Sequence, residues 1–252
     1  MAAYYPPSIK KSFQVLGAIG QSKSGLSLSE ISRSLGMSKA TVHGILGALK
    51  QLGVLVQEPR TRRFLLGPTL IELGNISLSQ ISSKELVRPL LVELMEETRG
   101  TVYLGILNDT HVTVLDVVES STDMKITSSR GSTVPLFAAA LGKVMLGFLE
   151  EEVQREILKG GLPKFTENSI TERDLFLAEV KKARELGYGV DMEEYISGIW
   201  AVAAPIEDWF GIPAALWVVG FKSSLEAMGI EKIASATKRT AEKIQALLHD
   251  RV

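Results

Sequence analysis

The stretch Ser27–Gly53, SLSEISRSLGMSKATVHGILGALKQLG, decides the fold of the first third of the chain. Ser27 and Glu30 stand at capping-box spacing, so a helix is expected to begin at Leu28, with Ile31 and Leu35 on its buried side. Gly36 can take the left-handed conformation that stops a helix, and Ser38 offers a fresh N-cap after a turn of about three residues. In the second helix Val42, Ile45, Leu46 and Leu49 recur at spacings of three and four. That rhythm turns Lys39, Thr41, His43 and Lys50 outward, beside the exposed cap Ser38. An outward polar face on the second helix of such a pair is the geometry that enters a major groove of DNA. Helix pairs that bind no nucleic acid can share the pattern, so composition has to decide between the two.

Charge favours the nucleic-acid reading. Residues 1–75 hold nine Lys and Arg against three Glu, a net of +6, while the remainder holds nineteen basic and twenty-six acidic side chains, a net of −7. The overall net charge of −1 hides two halves of opposite sign, the footprint of a polyanion-binding module joined to one that binds no polyanion. A chain of 252 residues can bury two separate cores. It has no cysteine, which excludes disulfides, thiolate zinc sites and cysteine nucleophiles. MAAYYPPSIKK lacks a signal-peptide core, and no later run approaches the roughly 20 apolar residues of a membrane helix. A cytoplasmic protein that does not engage a membrane is expected.

Working outward, Ser8 is read as the cap of a first helix that buries Ile9, Phe13, Leu16 and Ile19. Val54–Gln57 and Arg63–Leu66 read as two short strands, a wing whose Arg60, Arg62 and Arg63 can follow phosphates or enter a narrow minor groove. Pro68 opens a linker helix with Leu70, Ile71, Leu73, Ile76 and Leu78, too apolar for a solvated spacer. Either a partner's equivalent helix or the chain's own domains would cover it.

Ser83–Arg99 is a helix with Leu86, Leu90, Leu91, Leu94 and Met95 on one face, ended by Gly100. Residues 101–107 and 112–118 form a hairpin about Asn108-Asp109-Thr110, with Met124–Ser128 a candidate third strand. A small-residue helix follows over 138–149, then a helix from Thr171 to Leu186 stopped by Gly187. Strands at 188–191, 201–207 and 213–221 precede a last helix over 229–248. The fold class is α+β, an antiparallel sheet covered by helices behind a winged helix-turn-helix.

These stretches, taken together, resemble the IclR family of bacterial transcription regulators over nearly the whole chain. SLSEISRSLGMSKATVHGILGALKQLGVL is similar to the family's winged-helix core, and RRFLLGPTLIELG to its second wing strand and linker helix. RGSTVPLFAAALGKVMLGFL and GYGVDMEEYISGIWAVAAPIED resemble the segments that bound its effector pocket. The resemblance implies a winged helix-turn-helix domain at 1–67, a linker helix at 68–82 and a GAF-like α/β effector-binding domain at 83–252. It further implies a dimer or dimer of dimers on a double-stranded DNA operator, tuned by a small organic molecule.

Departures from the family pattern carry information. Gly44 stands where an arginine is common after the recognition-helix histidine, Ala201 where a cysteine is frequent, and Trp217 and Val219 where serines are. An apolar floor suits a larger, aromatic or otherwise apolar effector, with Asp191 and the backbone of Ala140, Leu141 and Gly142 supplying polar contacts. Alternatively, Trp217 fills the cavity and no effector binds.

Catalysis has little support. His43, His111 and His249 have no acidic partner at ligand spacing, so no metal is expected. Asp191, Glu193 and Glu194 could do acid–base work, but no nucleophile, P-loop or dinucleotide pattern accompanies them. Neither enzyme activity nor a cofactor is expected. A sensor that binds no DNA is the other alternative.

Overall fold

The computed structural model describes residues 6–80, 84–108, 111–209 and 211–249, and the chain divides into two units, Met1–Ser82 and Ser83–Val252. The first few residues, Ser83 and two of the three hairpin-turn residues lie outside the described set.

In the first unit, α1 (Pro7–Gly20), α2 (Leu28–Ser34) and α3 (Lys39–Gln51) precede an antiparallel pair, β1 (Leu55–Gln57) and β2 (Phe64–Leu66), and then α4 (Pro68–Gln80). Both expected caps form. Ser27 and Glu30 close a capping box, the amide of Ser27 donating to Glu30 Oε2 at 2.7 Å, and Ser38 Oγ accepts the Thr41 amide at 3.1 Å. Gly36 turns the chain between them at φ 63°. Val15, Ile19, Ile31, Val42, Leu46, Leu55 and Phe64 meet in one core.

Helix α1 departs from expectation. It starts at Pro7, placing Ser8 inside it, where the Ser8 carbonyl accepts the Ser12 hydroxyl. Ile9 and Phe13 are 56% and 70% exposed while Val15 and Ile19 are buried. Only the last two turns of α1 contribute to the core, so the burial stripe is set by what α3 and β2 offer there, not by the most apolar line along the helix.

The second unit is built on a six-stranded antiparallel sheet in the order β5-β4-β3-β8-β7-β6. Its strands are β3 (Thr101–Asn108), β4 (His111–Val118), β5 (Thr133–Pro135), β6 (Gly189–Met192), β7 (Ile199–Trp209) and β8 (Ile212–Phe221). Helices α5 (Lys84–Thr98) and α10 (Ile230–His249) pack on its strands, as do α6 (Ala139–Leu146) and α8 (Arg173–Leu186), with α7 (Glu151–Ile157) and α9 (Lys222–Met228) between. Tyr103, Ala201, Ala203, Ala215 and Trp217 share a core with Ala140 and Leu141 of α6, and alternation sends Val102, Val202, Leu216 and Val218 to the opposite face.

Three expectations need correction here. Helix α5 buries Leu91 and Leu94 as expected, but Val87 takes the inward place expected of Leu86, which is 40% exposed, and Leu90 and Met95 are half-buried. The residue that turns left-handed after α5 is Arg99, at φ 56°, not Gly100. Gly100 is needed for close approach, since a Cβ there would lie 2.5 Å from Val218 Cγ1. Met124–Ser128 is not a strand: the carbonyl of Ile126 accepts the Tyr103 hydroxyl at 3.2 Å instead of joining a ladder, and β5 takes the edge beside β4. Among the described residues no helix is long and apolar enough to cross a membrane.

Gly44 and Gly47 are exposed on α3, and an added Cβ at either meets nothing within 4 Å. Nothing in the first unit requires them. Gly47→Ala is therefore expected to raise stability by about 1 kcal/mol, read as a higher urea midpoint at unchanged slope; a lower midpoint would contradict the open surface described here.

Candidate nucleic-acid interface and ligand cavity

On the first unit the exposed face of α3 carries Lys39, His43 and Lys50, with Thr41 half-buried. Ser38 and Thr41 are tied together, their hydroxyls 2.9 Å apart as part of the cap. The side chains of Lys39 and His43 make no hydrogen bond or ion pair among the described residues. Lys50 Nζ reaches Gln57 Oε1 at 3.4 Å, and Gln57 Nε2 donates to the Arg62 carbonyl at 3.0 Å, which connects the end of α3 to the wing.

The wing turn is closed by Arg62 N–H donating to the Glu58 carbonyl and Glu58 N–H donating to the Arg63 carbonyl, each at 2.9 Å. Thr61 donates its hydroxyl to the Glu58 carboxylate. Arg62 sits at φ 61°, a conformation glycine would adopt at less cost. Arg60 and Arg62 are exposed at the tip. Arg63 is engaged elsewhere. Its guanidinium grips Glu30 through both nitrogens, at 2.8 and 2.7 Å, and also donates to the Gly25 carbonyl at 3.0 Å. The Ser27 amide and hydroxyl, with the Arg63 and Arg33 charges behind them, hold the Glu30 carboxyl below its usual range. Arg63 therefore fixes the wing strand to the start of α2, while Arg60 and Arg62 remain outward.

On the second unit a cavity of about 350 Å³ opens beside the sheet. Strand register assembles one wall: Asp191 pairs with Ala201 and Ala201 with Val219, and in the next rank Ala203 pairs with Trp217 and Trp217 with Tyr103. The start of α6 adds Ala140 and Leu141, the segment after β4 adds Ile126 and Ser128, and the β6–β7 loop adds Tyr195 and Ile196. Of the effector residues expected from sequence, Ala140, Leu141, Asp191, Ala201, Trp217 and Val219 line the cavity. Gly142 does not: a Cβ there would lie 2.4 Å from the Leu136 carbonyl oxygen, so it serves packing.

Trp217 is a wall and leaves the space open. Its ring stacks on Tyr103, with centroids 5.3 Å apart and planes 12° apart, and lies so close over Gly105 that a Cβ there would be 2.9 Å from Cη2. The β3 irregularity at Leu104/Gly105 thus seats the indole flat against the sheet. Sequence reasoning placed the stretches holding Ser132, Thr133, Tyr195 and Ile196 at the pocket without singling out these residues, and it missed Tyr103, Ile126 and Ser128, whose approach depends on strand pairing.

Asp191 is 4% exposed and accepts the Glu194 amide at 2.7 Å. Burial pushes its carboxyl up to about 6, aided by the Glu194 charge and opposed by the Glu194 and Tyr195 amides and by Lys143. Lys143, only 2% exposed, donates to the Val190 carbonyl at 2.8 Å and to Glu194 Oε1 at 2.5 Å. Its signal in the sequence was a lone lysine inside the apolar run ALGKVML. Glu193 faces another way, paired with Lys222 at 2.8 Å and accepting the Gly198 amide. Glu193 is thus set apart from the other two carboxylates of the expected acidic cluster, while Asp191 and Glu194 sit together near Lys143.

Because Asp191 titrates near 6 when folded and near 3.8 when unfolded, the fold favours its protonated form. Ionisation costs stability in full above about pH 6, and that cost disappears as pH falls towards 4. Asp191→Asn is expected to melt higher than the native protein at pH 7.5, with the advantage shrinking steadily below pH 6. A difference independent of pH would contradict the buried, ionised carboxylate.

Residues 8–59 match the model of the IclR helix-turn-helix domain, and residues 76–246 match that of the bacterial transcriptional regulator IclR C-terminal domain. The chain is similar to the HTH-type transcriptional regulator KdgR of Escherichia coli K12, 31% identical over 215 residues that cover 85% of this chain and 81% of that protein. An IclR-type regulator from Alicyclobacillus acidocaldarius superposes with a TM-score of 0.81 at 29% identity, covering 96% of this chain and 99% of its own. An IclR homologue from Microbacterium hydrocarbonoxydans, solved in complex with 4-hydroxybenzoate, shares the fold at a TM-score of 0.75 and 21% identity, covering 96% and 99% of the two chains. With both domains matched in order, and identity of this level across most of its length, the protein belongs to the IclR family of HTH-type bacterial transcriptional regulators.

Proposed function

We propose that this regulator reads its operator through α3 and the wing, and that a small aromatic or otherwise apolar effector in the sheet-side cavity sets its affinity for that operator. The observation that carries the DNA half is the outward placement of side chains with no side-chain partner among the described residues: Lys39 and His43 on the outer face of α3, Arg60 and Arg62 at the wing tip. In this reading α3 occupies the major groove with Lys39, Thr41 and His43 at base edges and phosphates, Ser38 and Lys50 at its two ends, and the wing follows the backbone. Arg63 supports that surface from within through its pairing with Glu30.

The effector half is supported by size and lining. A dry apolar cavity of about 150 Å³ is enough for benzene, and the space beside Trp217 is about 350 Å³. The Microbacterium hydrocarbonoxydans homologue, which holds an aromatic acid, agrees with an aromatic occupant. A ligand that prefers one of two states of the protein by a few kcal/mol shifts operator occupancy by orders of magnitude.

A homodimer, or a dimer of dimers, completes the proposal. Ile71 and Leu73 on α4 are 68% and 55% exposed, and the equivalent helix of a second copy would cover them. Two reading heads would then meet successive major grooves about 34–36 Å apart.

Salt dependence of binding tests the contact set. Arg60→Ala and Arg62→Gly, the latter suited to the left-handed turn, are each expected to weaken operator and unrelated duplexes alike and to lower the log–log salt slope by about 1. An unchanged slope would remove that arginine from the phosphate contacts.

A further inference from the structure

We infer that the cavity selects uncharged aromatic molecules bearing a hydroxyl over carboxylates of the same size, with Asp191 accepting the ligand's hydrogen bond. The inference rests on the cavity being the effector site, and it concerns which chemistry that site admits.

The first observation is the absence of a countercharge. No lysine, arginine or histidine is among the residues that line the cavity. A carboxylate entering it would lose water and gain no cation, a costly exchange in an apolar space. The nearest buried ammonium, Lys143, is not part of the lining and is committed to the Val190 carbonyl and Glu194.

The second concerns the start of α6, the natural source of donors for an anion. Ala139 stands there at φ 25°, and three of the four amides from Ala139 to Gly142 are already bonded. Ala139 donates to the Phe137 carbonyl at 2.8 Å, and Leu141 and Gly142 both donate to the Ala138 carbonyl, at 3.0 and 3.3 Å. Among the described residues that leaves one backbone donor at this helix start, the Ala140 amide, and the side-chain donors of the lining are neutral, hydroxyls for the most part.

The third is the carboxyl that the cavity presents beside the hydroxyls of Thr127, Ser128, Ser132, Thr133 and Tyr195. Asp191 lines it as a carboxyl whose oxygens accept from the Glu194 and Tyr195 amides. A carboxylate has about four acceptor positions, so capacity remains for a ligand hydroxyl. Two carboxylates meeting here could not both stay ionised. Around Asp191 the charged and titratable groups are Glu194 and Tyr195 from its own loop and Lys143 from α6, with Glu179 of α8 3.8 Å from the Lys143 ammonium. β7 and β8 contribute no charged group to the lining: Ile199, Ala201, Val219 and the Trp217 ring. Of the charged and titratable groups, Asp191 and Tyr195 line the cavity. Trp217 stacked on Tyr103 supplies the flat apolar wall for an aromatic ring.

Selection of this kind has a proton signature. A carboxylate would have to bring a proton to Asp191, which burial has pushed up to about 6, so its affinity should fall about tenfold per pH unit above that point while that of an alcohol is unaffected or improves.

Titration calorimetry on the full chain tests it with two matched pairs, benzyl alcohol against benzoate and 2-naphthylmethanol against 2-naphthoate, at pH 5.5 and pH 8. At pH 8 the expected result is that an alcohol binds at least tenfold more tightly than its carboxylate, with the gap narrowing at pH 5.5. Asp191→Asn should raise carboxylate affinity and remove its pH dependence; the native pH series carries the test should that variant fail to fold. Carboxylates that bind at pH 8 as tightly as the alcohols would overturn the selection and leave the cavity as the effector site. Binding by none of the four at either pH would overturn both.

Discussion

Val42 and Leu46, 0% and 2% exposed, are the residues of α3 that the winged unit fully encloses, and their burial against Val15, Ile19 and Ile31 fixes the rotation of that helix about its axis. Each is worth about 1.5–3 kcal/mol when removed from water. Turning α3 by one residue, 100°, would expose them and bring His43 and Gly47, or Thr41 and Ile45, inward instead. The outward direction of Lys39 and His43 is therefore a consequence of core packing and not an independent feature. The same economy governs the wing. Glu30 closes the cap of α2 and pairs with Arg63, so one carboxylate sets both where the first helix of the pair begins and where the second wing strand lies.

In the second unit the corresponding constraint is the two-residue period of the sheet. Register alone places Asp191, Ala201 and Val219 side by side, with Trp217 and Tyr103 in the adjoining rank. Small side chains at Ala138, Ala140 and Ala201 leave room above that surface, and Gly105 lets the indole lie close over it. An apolar hollow with one buried carboxyl results. It is closed on one side by a loop whose two glutamates are anchored by Lys143 and Lys222.

Much of this was legible in the residues because the relevant signals are local. Caps at Ser27 and Ser38, the glycine turn at Gly36 and the stop at Gly187 depend on a few neighbours, and each forms as the spacing implies. Where the reading failed, distant partners decided. The inward line of α1 depends on where α3 and β2 end, which moved burial from Ile9 and Phe13 to Val15 while Ile19 stays inside as expected. Arg63 reads as one of three wing arginines until Glu30, far away in sequence, is brought beside it. Tyr103 reads as an ordinary strand residue until pairing with Trp217 makes it part of a cavity, and Met124–Ser128 loses its ladder to the same tyrosine. Gly142 looked like a ligand contact because it neighbours Ala140 and Leu141, but helix geometry carries it away from the hollow.

Fluorescence anisotropy with the full chain tests the central claim, that a cationic face positioned by α3 burial recognises a specific duplex. The duplex is one from the region upstream of the protein's own gene, titrated beside a scrambled duplex of the same composition at one stated salt concentration. The account predicts tighter binding to the upstream duplex by a factor of about 10³ or more, the margin that separates specific from non-specific DNA binding. Equal affinity for the two duplexes, or none for either, would contradict it.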